Sequence, residues 1–304
     1  MKVGISITSA YPTGSSREGA ARMVARARVA AEAGLDSLFV GDHHVAPTSY
    51  YQNTPMLGRL LAEWDERPAG ALFLLPLWNP VLLAEQVATL ACLTNGPFIL
   101  QCALGANEHQ FKAMGANIKR RPSAFEQSLG ALRALWQGET VSLNGIWKFE
   151  NAQVCPLPPQ KIEVWIGASA PVAIERAARL GDAWLAEPGL TINSAGEKLN
   201  TYKEAVYNLN KELPKTIAIR RDIYVAESDK DAEQVRKLVK ENGYRGFDSD
   251  ALIIGDASAV ANVFSNFDEL GYTDIIVRNL HWNTEKALAS TERLIAVREK
   301  LGIK

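Results

Sequence analysis

One pattern returns along this 304-residue chain: a helical segment closes on glycine, a short polar turn follows, and a β-rich run begins. Ala33-Gly34-Leu35-Asp36-Ser37-Leu38-Phe39-Val40 is one instance, Leu180-Gly181-Asp182-Ala183-Trp184-Leu185 a second, and Leu270-Gly271-Tyr272-Thr273-Asp274-Ile275-Ile276-Val277 a third. Further β-type runs lie at Val3–Thr8, Ala71–Leu75, Phe98–Leu104, Val164–Ile166 and Ile217–Val225, separated by stretches whose apolar residues recur at helical spacing. Strands alternating with helices pair in parallel through crossovers. Eight such units favour an α/β fold closed into a (β/α)8 TIM barrel over an open sheet. The reading is a single domain over 1–304, because no linker or low-complexity segment divides the chain.

Local signals place the boundaries. Ser15 with Glu18, and Ser123 with Glu126, have the spacing of capping boxes. Asn79-Pro80 reads as an N-cap followed by proline at the first helical position. Asn144-Gly145 inside Val141–Phe149 predicts a hairpin with a type I′ turn. The stretches Pro47–Glu66 and Asn107–Arg121 read as the longest irregular segments.

Composition removes several classes of function. Lys+Arg number 33 and Asp+Glu 34, a net charge of −1 with no basic run, so a nucleic-acid partner is not expected. The most apolar stretch, Ala69–Ala84, is broken by Pro76, Asn79 and Pro80 and is too short to span a bilayer. Three cysteines without a CxxC spacing predict a reducing, cytoplasmic setting, with Cys92 and Cys102 buried and inert.

In a barrel of this kind the chemistry sits at the carboxyl ends of the strands. Gly41-Asp42-His43-His44, Asn107-Glu108-His109, Gly167-Ala168-Ser169-Ala170, Glu187 and His281 all fall there, and with them every histidine of the chain. Histidine titrates near neutrality and serves as acid, base or ligand. Adjacent residues leaving a strand face opposite ways, so at most one of His43 and His44 faces the axis. That phase is wrong for both to reach one metal ion, and no metal is expected. No G-x-S-x-G elbow is present, which argues against a serine hydrolase. The small residues Gly167–Ala170, followed by Pro171 opening a helix, suit the approach of an anion to backbone amides.

These segments, together with the stretches Leu75–Gln86, Leu104–Phe111, Ala134–Gly138, Val164–Ser169 and Ile254–Gly271, resemble in order the bacterial-luciferase-like superfamily. The resemblance covers nearly the whole chain. It implies a TIM barrel that binds reduced FMN or the deazaflavin coenzyme F-420. It puts His43 and Asp42 in catalysis. It puts Ala71, Leu72, Asn107, Arg121, Gly167, Ala168, Ser169 and Ala170 against the cofactor, and His44, Trp78, His109 and His281 in the substrate pocket. A non-prolyl cis peptide near Ala71–Leu72 is implied as well. The chain departs from many relatives in carrying Gln101 and Ala103 where they have glycines, and Pro97 in place of an arginine.

The function so implied is a flavin-dependent monooxygenase that uses reduced FMN and oxygen on a small organic substrate. The alternative is an F-420-dependent hydride transferase, and a second alternative is a non-catalytic flavin-binding barrel. No nicotinamide fingerprint is present. The expected partners are therefore a small-molecule substrate and a separate flavin or deazaflavin reductase, with room for a homodimer.

Overall fold

The structure, a computed structural model, describes residues 1–303. Its strands are β1 (Lys2–Ile7), β2 (Leu38–Val40), β3 (Ala69–Leu74), β4 (Phe98–Ala103), β5 (Val141–Asn144), β6 (Lys148–Ala152), β7 (Glu163–Gly167), β8 (Ala183–Ala186), β9 (Ile217–Val225), β10 (Ile253–Gly255) and β11 (Asp274–Asn279). All eight predicted runs are strands. The hairpin β5–β6 and the short β10 stand outside the eightfold pattern, and β10 was not among the runs read from the sequence.

The described residues gather into two compact units, one of residues 1–8, 21–38 and 165–303, the other of residues 9–20 and 39–164. In the first, β11 lies parallel between β1 and β9, with Gly4 opposite Ile276 and Asp274 opposite Ala218. β9 also pairs with β8 and β10, and β8 pairs with β7. In the second, β3 and β4 run parallel in an unbroken register from Ala69 opposite Phe98 to Leu74 opposite Ala103.

The recurring glycine turn has a physical basis that differs between copies. Gly34 and Gly271 close their helices at positive φ, +71° and +106°, a region that costs a side chain. Gly181 is at φ −82° and is needed for space, since a Cβ there would stand 2.8 Å from the Ala183 carbonyl oxygen. Asp36 in the first turn accepts from the Val3 amide at 2.6 Å and from Arg298 at 2.5 Å, fastening β1 to the last helix of its unit.

Several local expectations hold and several are corrected. Ser15 and Glu18 exchange both capping bonds, and the Asn79 side chain accepts from the Val81 and Leu82 amides. The second capping box does not form. That helix starts at Arg121, which places Ser123 inside its first turn. The hairpin pairs Asn144 with Lys148 and so has the three-residue loop Gly145-Ile146-Trp147. Neither Asn144 nor Gly145 has the positive φ of a type I′ turn. The two stretches read as irregular contain the helices Asn53–Leu60 and Glu108–Ala113. Their signals are weak because both are short and the first has no side-chain cap. Cys102 is buried, but Cys92 is exposed.

The expected cis peptide at Ala71–Leu72 is not there. Among the described residues the cis bond joins Cys155 to Pro156. The β3 ladder explains the difference: Ala71 stands opposite Leu100 and Leu72 opposite Gln101 in regular register, and buried Asn53 donates from Nδ2 to the Leu72 carbonyl at 2.7 Å. Gly70 lets β4 come close, because a Cβ at that position would lie 1.9 Å from the Ile99 carbonyl oxygen. Gly70→Ala is therefore expected to lower unfolding stability by about 3 kcal/mol, the upper end of overpacking costs, since the obstructing atom is backbone. Urea denaturation measures it, and a loss below about 1 kcal/mol would contradict this close approach.

Candidate active site

Immediately after β2 the chain delivers Asp42, His43 and His44. Asp42 is buried, and its Oδ2 accepts from the Leu74 amide at 2.8 Å and from the Trp78 indole N–H at 2.8 Å. Its Oδ1 faces His44 Nε2 at 3.3 Å. The carboxylate thus holds the end of β2 to the end of β3, while its Oδ1 and His44 Nε2 are each buried without a hydrogen bond; the His44 ring lies against Trp78 with centroids 5.4 Å apart. Asp42, expected in catalysis beside His43, makes no hydrogen bond to that ring and accepts instead from Leu74 and Trp78.

His43 is held by a residue that sequence reasoning missed. Gln110, 2% exposed, brings Nε2 to 3.0 Å from His43 Nδ1 and also donates from Nε2 to the His44 carbonyl at 2.9 Å. A carbonyl oxygen only accepts, so the amide must turn its NH2 toward it. The second hydrogen of that NH2 then points at His43 Nδ1, which must accept. Neutral His43 consequently carries its proton on Nε2. Gln52 Nε2 donates to the His43 carbonyl at 3.2 Å, and Tyr50 stands beside the ring at 5.5 Å. Just beyond, Val45 has φ +52°, a conformation that is strained for a β-branched residue.

The same surroundings set the charge of the ring. Burial lowers the His43 pKa below the usual value of 6.5; the Asp42 carboxylate opposes this and neighbouring His44 adds to it. His43 is therefore neutral at pH 7. A histidine with a depressed folded value contributes stability that is present above the unfolded pKa and is lost as pH falls through the folded one.

The other predicted residues divide between scaffold and surface. Asn107 caps the helix Glu108–Ala113, its side chain accepting from the Gln110 amide at 3.0 Å, so it positions the residue that holds His43. His109 is exposed on that helix. Arg121 turns its guanidinium onto the Ile118 carbonyl at 3.0 Å, while its buried Nε has no partner. Ala71 and Leu72 lie in the β3 ladder. His281 belongs to the other unit. It accepts at Nδ1 from the Asn283 amide at 3.1 Å and packs near Tyr224, and burial, reinforced by Lys286, lowers its pKa.

In that same unit Gly167–Ala170 form the turn between β7 and the helix Pro171–Leu180. Ala170 is the N-cap and contributes no side-chain bond. Trp184 Nε1 donates to the Ala168 carbonyl at 2.9 Å, and Lys198 Nζ donates to the Ser169 carbonyl at 2.9 Å. Small side chains, first-turn amides and an added ammonium group suit a phosphate. In the unit that holds His43, Gln101 is 4% exposed and its Nε2 donor has no partner. A buried donor left unpaired is costly, and flavin and deazaflavin rings both carry carbonyl acceptors that would satisfy it. Gln101 thus fits either ring, and the turn Gly167–Ala170 by itself suits a phosphate.

The chain was compared with known proteins. The family described as luciferase-like monooxygenase matches residues 1–292. An F-420-dependent glucose-6-phosphate dehydrogenase of Amycolatopsis mediterranei is 26% identical over 240 residues, covering 74% of this chain and 72% of that protein. Relatives with the same name from other organisms are matched over 51–61% of their length. Among solved structures, a monooxygenase from Streptomyces bottropensis is similar over 99% of this chain and 100% of that one, with TM-score 0.84 and 17% identity. An F-420-dependent secondary alcohol dehydrogenase bound to an F-420-acetone adduct follows at TM-score 0.79 and 17% identity, over 98% of this chain and 99% of that one. The fold is the luciferase-like (β/α)8 TIM barrel that the strand alternation predicts.

NMR of the histidine rings tests the assignment at His43. Above neutral pH the ring is expected to carry its proton on Nε2. In Gln110→Glu the carboxylate is expected to draw the proton to Nδ1 and raise the ring's pKa by about one unit. A ring protonated on Nδ1 in the unaltered protein would contradict the amide orientation.

Proposed function

We propose that this chain, which belongs to the luciferase-like monooxygenase family, is an oxidoreductase that uses the deazaflavin coenzyme F-420 to interconvert an alcohol and a carbonyl compound. The expectation of an FMN monooxygenase is the weaker reading. The curated relatives are named as F-420-dependent dehydrogenases, while the monooxygenases among the solved structures share only the fold at such low identity. The observation that carries the reading is His43 itself, a neutral imidazole whose free nitrogen bears a proton. Such a group donates a hydrogen bond to a carbonyl or alkoxide oxygen, where charge develops as hydride moves at the adjacent carbon.

The deazaflavin, when bound, supplies the hydride acceptor or donor. Gln101 Nε2, in the same unit as His43, would donate to its ring carbonyl. His43 Nε2 holds the substrate oxygen. For His43 to take a proton from an alcohol, Gln110 must rotate its amide and give up the bond to the His44 carbonyl. Trp78, fixed by Asp42, helps exclude water. A sugar phosphate is the first substrate to try, because the relatives are named for one. The deazaflavin would be reduced or reoxidised by a second enzyme.

Titration of the purified protein with both cofactors tests the proposal. The deazaflavin is expected to bind at least about 10-fold more tightly than FMN or reduced FMN, a gap of about 1.4 kcal/mol. His43→Ala should lower kcat about 100-fold or more and leave deazaflavin affinity unchanged. Because neutral His43 is the active form, kcat/KM should fall on the acid side with a midpoint below pH 6.5, and His43→Gln should remove that limb. Preference for reduced FMN with oxygen consumption would instead support a monooxygenase.

A further inference from the structure

A second cluster of polar groups lies wholly within the unit that contains β9 and β11. Arg220 and Asp222 project from the same face of β9, and Arg220 meets Asp222 Oδ1 at 3.2 Å. Arg278 on β11 stands opposite Asp222 in the strand register and donates from Nε to Thr8 Oγ1 at 3.1 Å. Arg245 reaches Asp222 Oδ2 at 2.8 Å, and the Tyr244 hydroxyl donates to the same oxygen at 3.0 Å. Arg220 and Arg245 thus contact the carboxylate and Arg278 acts on it electrostatically, which leaves an excess of two positive charges in the cluster. Asp222 itself is fully buried.

The cluster is built rather than incidental. Tyr244 and Arg245 are delivered by a segment in which Gly243, Arg245 and Gly246 have φ of 69°, 53° and 71°. Arg245 holds that disfavoured backbone while its guanidinium lies over the Phe247 ring at 4.9 Å. The Arg220 Nε is buried without a hydrogen-bond partner. Burial pushes Arg220 down to about 10; Asp222 opposes this, while Arg278 and Arg245 add repulsion. Burial alone would raise Asp222, yet the three guanidiniums hold it below the usual carboxylate range. Ala186, the last residue of β8, is opposite Ile219, so Arg220 stands just past the end of β8. Thr8 is the first residue after β1. The cluster thus lies at the strand ends where barrel chemistry is placed.

We propose that Arg220, Arg245 and Arg278 form a subsite for the phosphoryl group of a small organic substrate. An excess of two charges matches a dianion, and an unpaired guanidinium N–H is the donor it would take. This inference rests on the oxidoreductase reading above and names the class of its substrate. The coenzyme's own phosphate shares the chemistry, and the experiment separates the two sources.

Inorganic phosphate, a hexose 6-phosphate and the neutral hexose are titrated by calorimetry at constant ionic strength, with the deazaflavin followed separately by its fluorescence. The hexose phosphate is expected to bind at least about 10-fold more tightly than the hexose. Arg245→Gln, at a partly exposed position, should weaken phosphate and hexose phosphate about 10-fold, leave the deazaflavin unaffected, and be partly restored by Arg245→Lys. Equal affinity for the phosphorylated and neutral sugars, or undiminished phosphate binding by Arg245→Gln, overturns the subsite. Weakened deazaflavin with unchanged hexose phosphate assigns the cluster to the coenzyme and overturns the substrate class. Absence of deazaflavin binding by the unaltered protein defeats the functional reading alone, because phosphate still reports on the arginines.

Discussion

The geometry of the candidate site depends on one buried carboxylate. Asp42 accepts two N–H groups, from Leu74 and Trp78, and faces His44 with its other oxygen. Removing a carboxylate from water is unfavourable unless such donors replace the water. Each donor comes from a different part of the site, so satisfying the charge fixes three things together: the exit of β2, the end of β3 and the plane of the Trp78 ring. His43 inherits its direction from that frame without bonding to Asp42. Two adjacent histidines thereby acquire separate tasks, one facing the carboxylate and the other an amide.

Much of the architecture was legible because it is written in local, periodic signals. The alternation of apolar runs, the paired bonds of Ser15 with Glu18 and the Asn79 cap involve residues a few positions apart, and their physics is complete within that window. Ser123 with Glu126 has the same spacing and does not cap, because the preceding Arg121-Pro122 already starts the helix one turn earlier. The hairpin was placed correctly, but its loop length depends on which residues pair, and the Asn-Gly dipeptide does not decide that.

The site was legible only in part. The barrel rule directs attention to the strand ends, and Asp42 and His43 follow β2 directly. Gln110 lies in the Leu104–Phe111 stretch that resembles the family, yet nothing local assigns it a role, since its partners are 66 and 67 positions away and its helix is six residues long. The cis peptide was inferred from likeness alone, and the unbroken pairing of β3 with β4 took its place. Arg220, Asp222, Arg245 and Arg278 were likewise invisible as a group, being drawn from two strands and a loop that only the fold assembles.

The backbone at Val45 has a meaning for anyone who would redesign this chain. A valine in the left-handed region is where a stability-guided protocol would first substitute glycine or asparagine, for a gain of about 1 kcal/mol. Yet the chain bends at this residue, directly after His44, whose carbonyl accepts from Gln110 Nε2. A hinge placed there would let both histidines wander. Thermal robustness and chemical competence are in opposition at this residue, and a screen that rewards the first will erode the second without touching an imidazole.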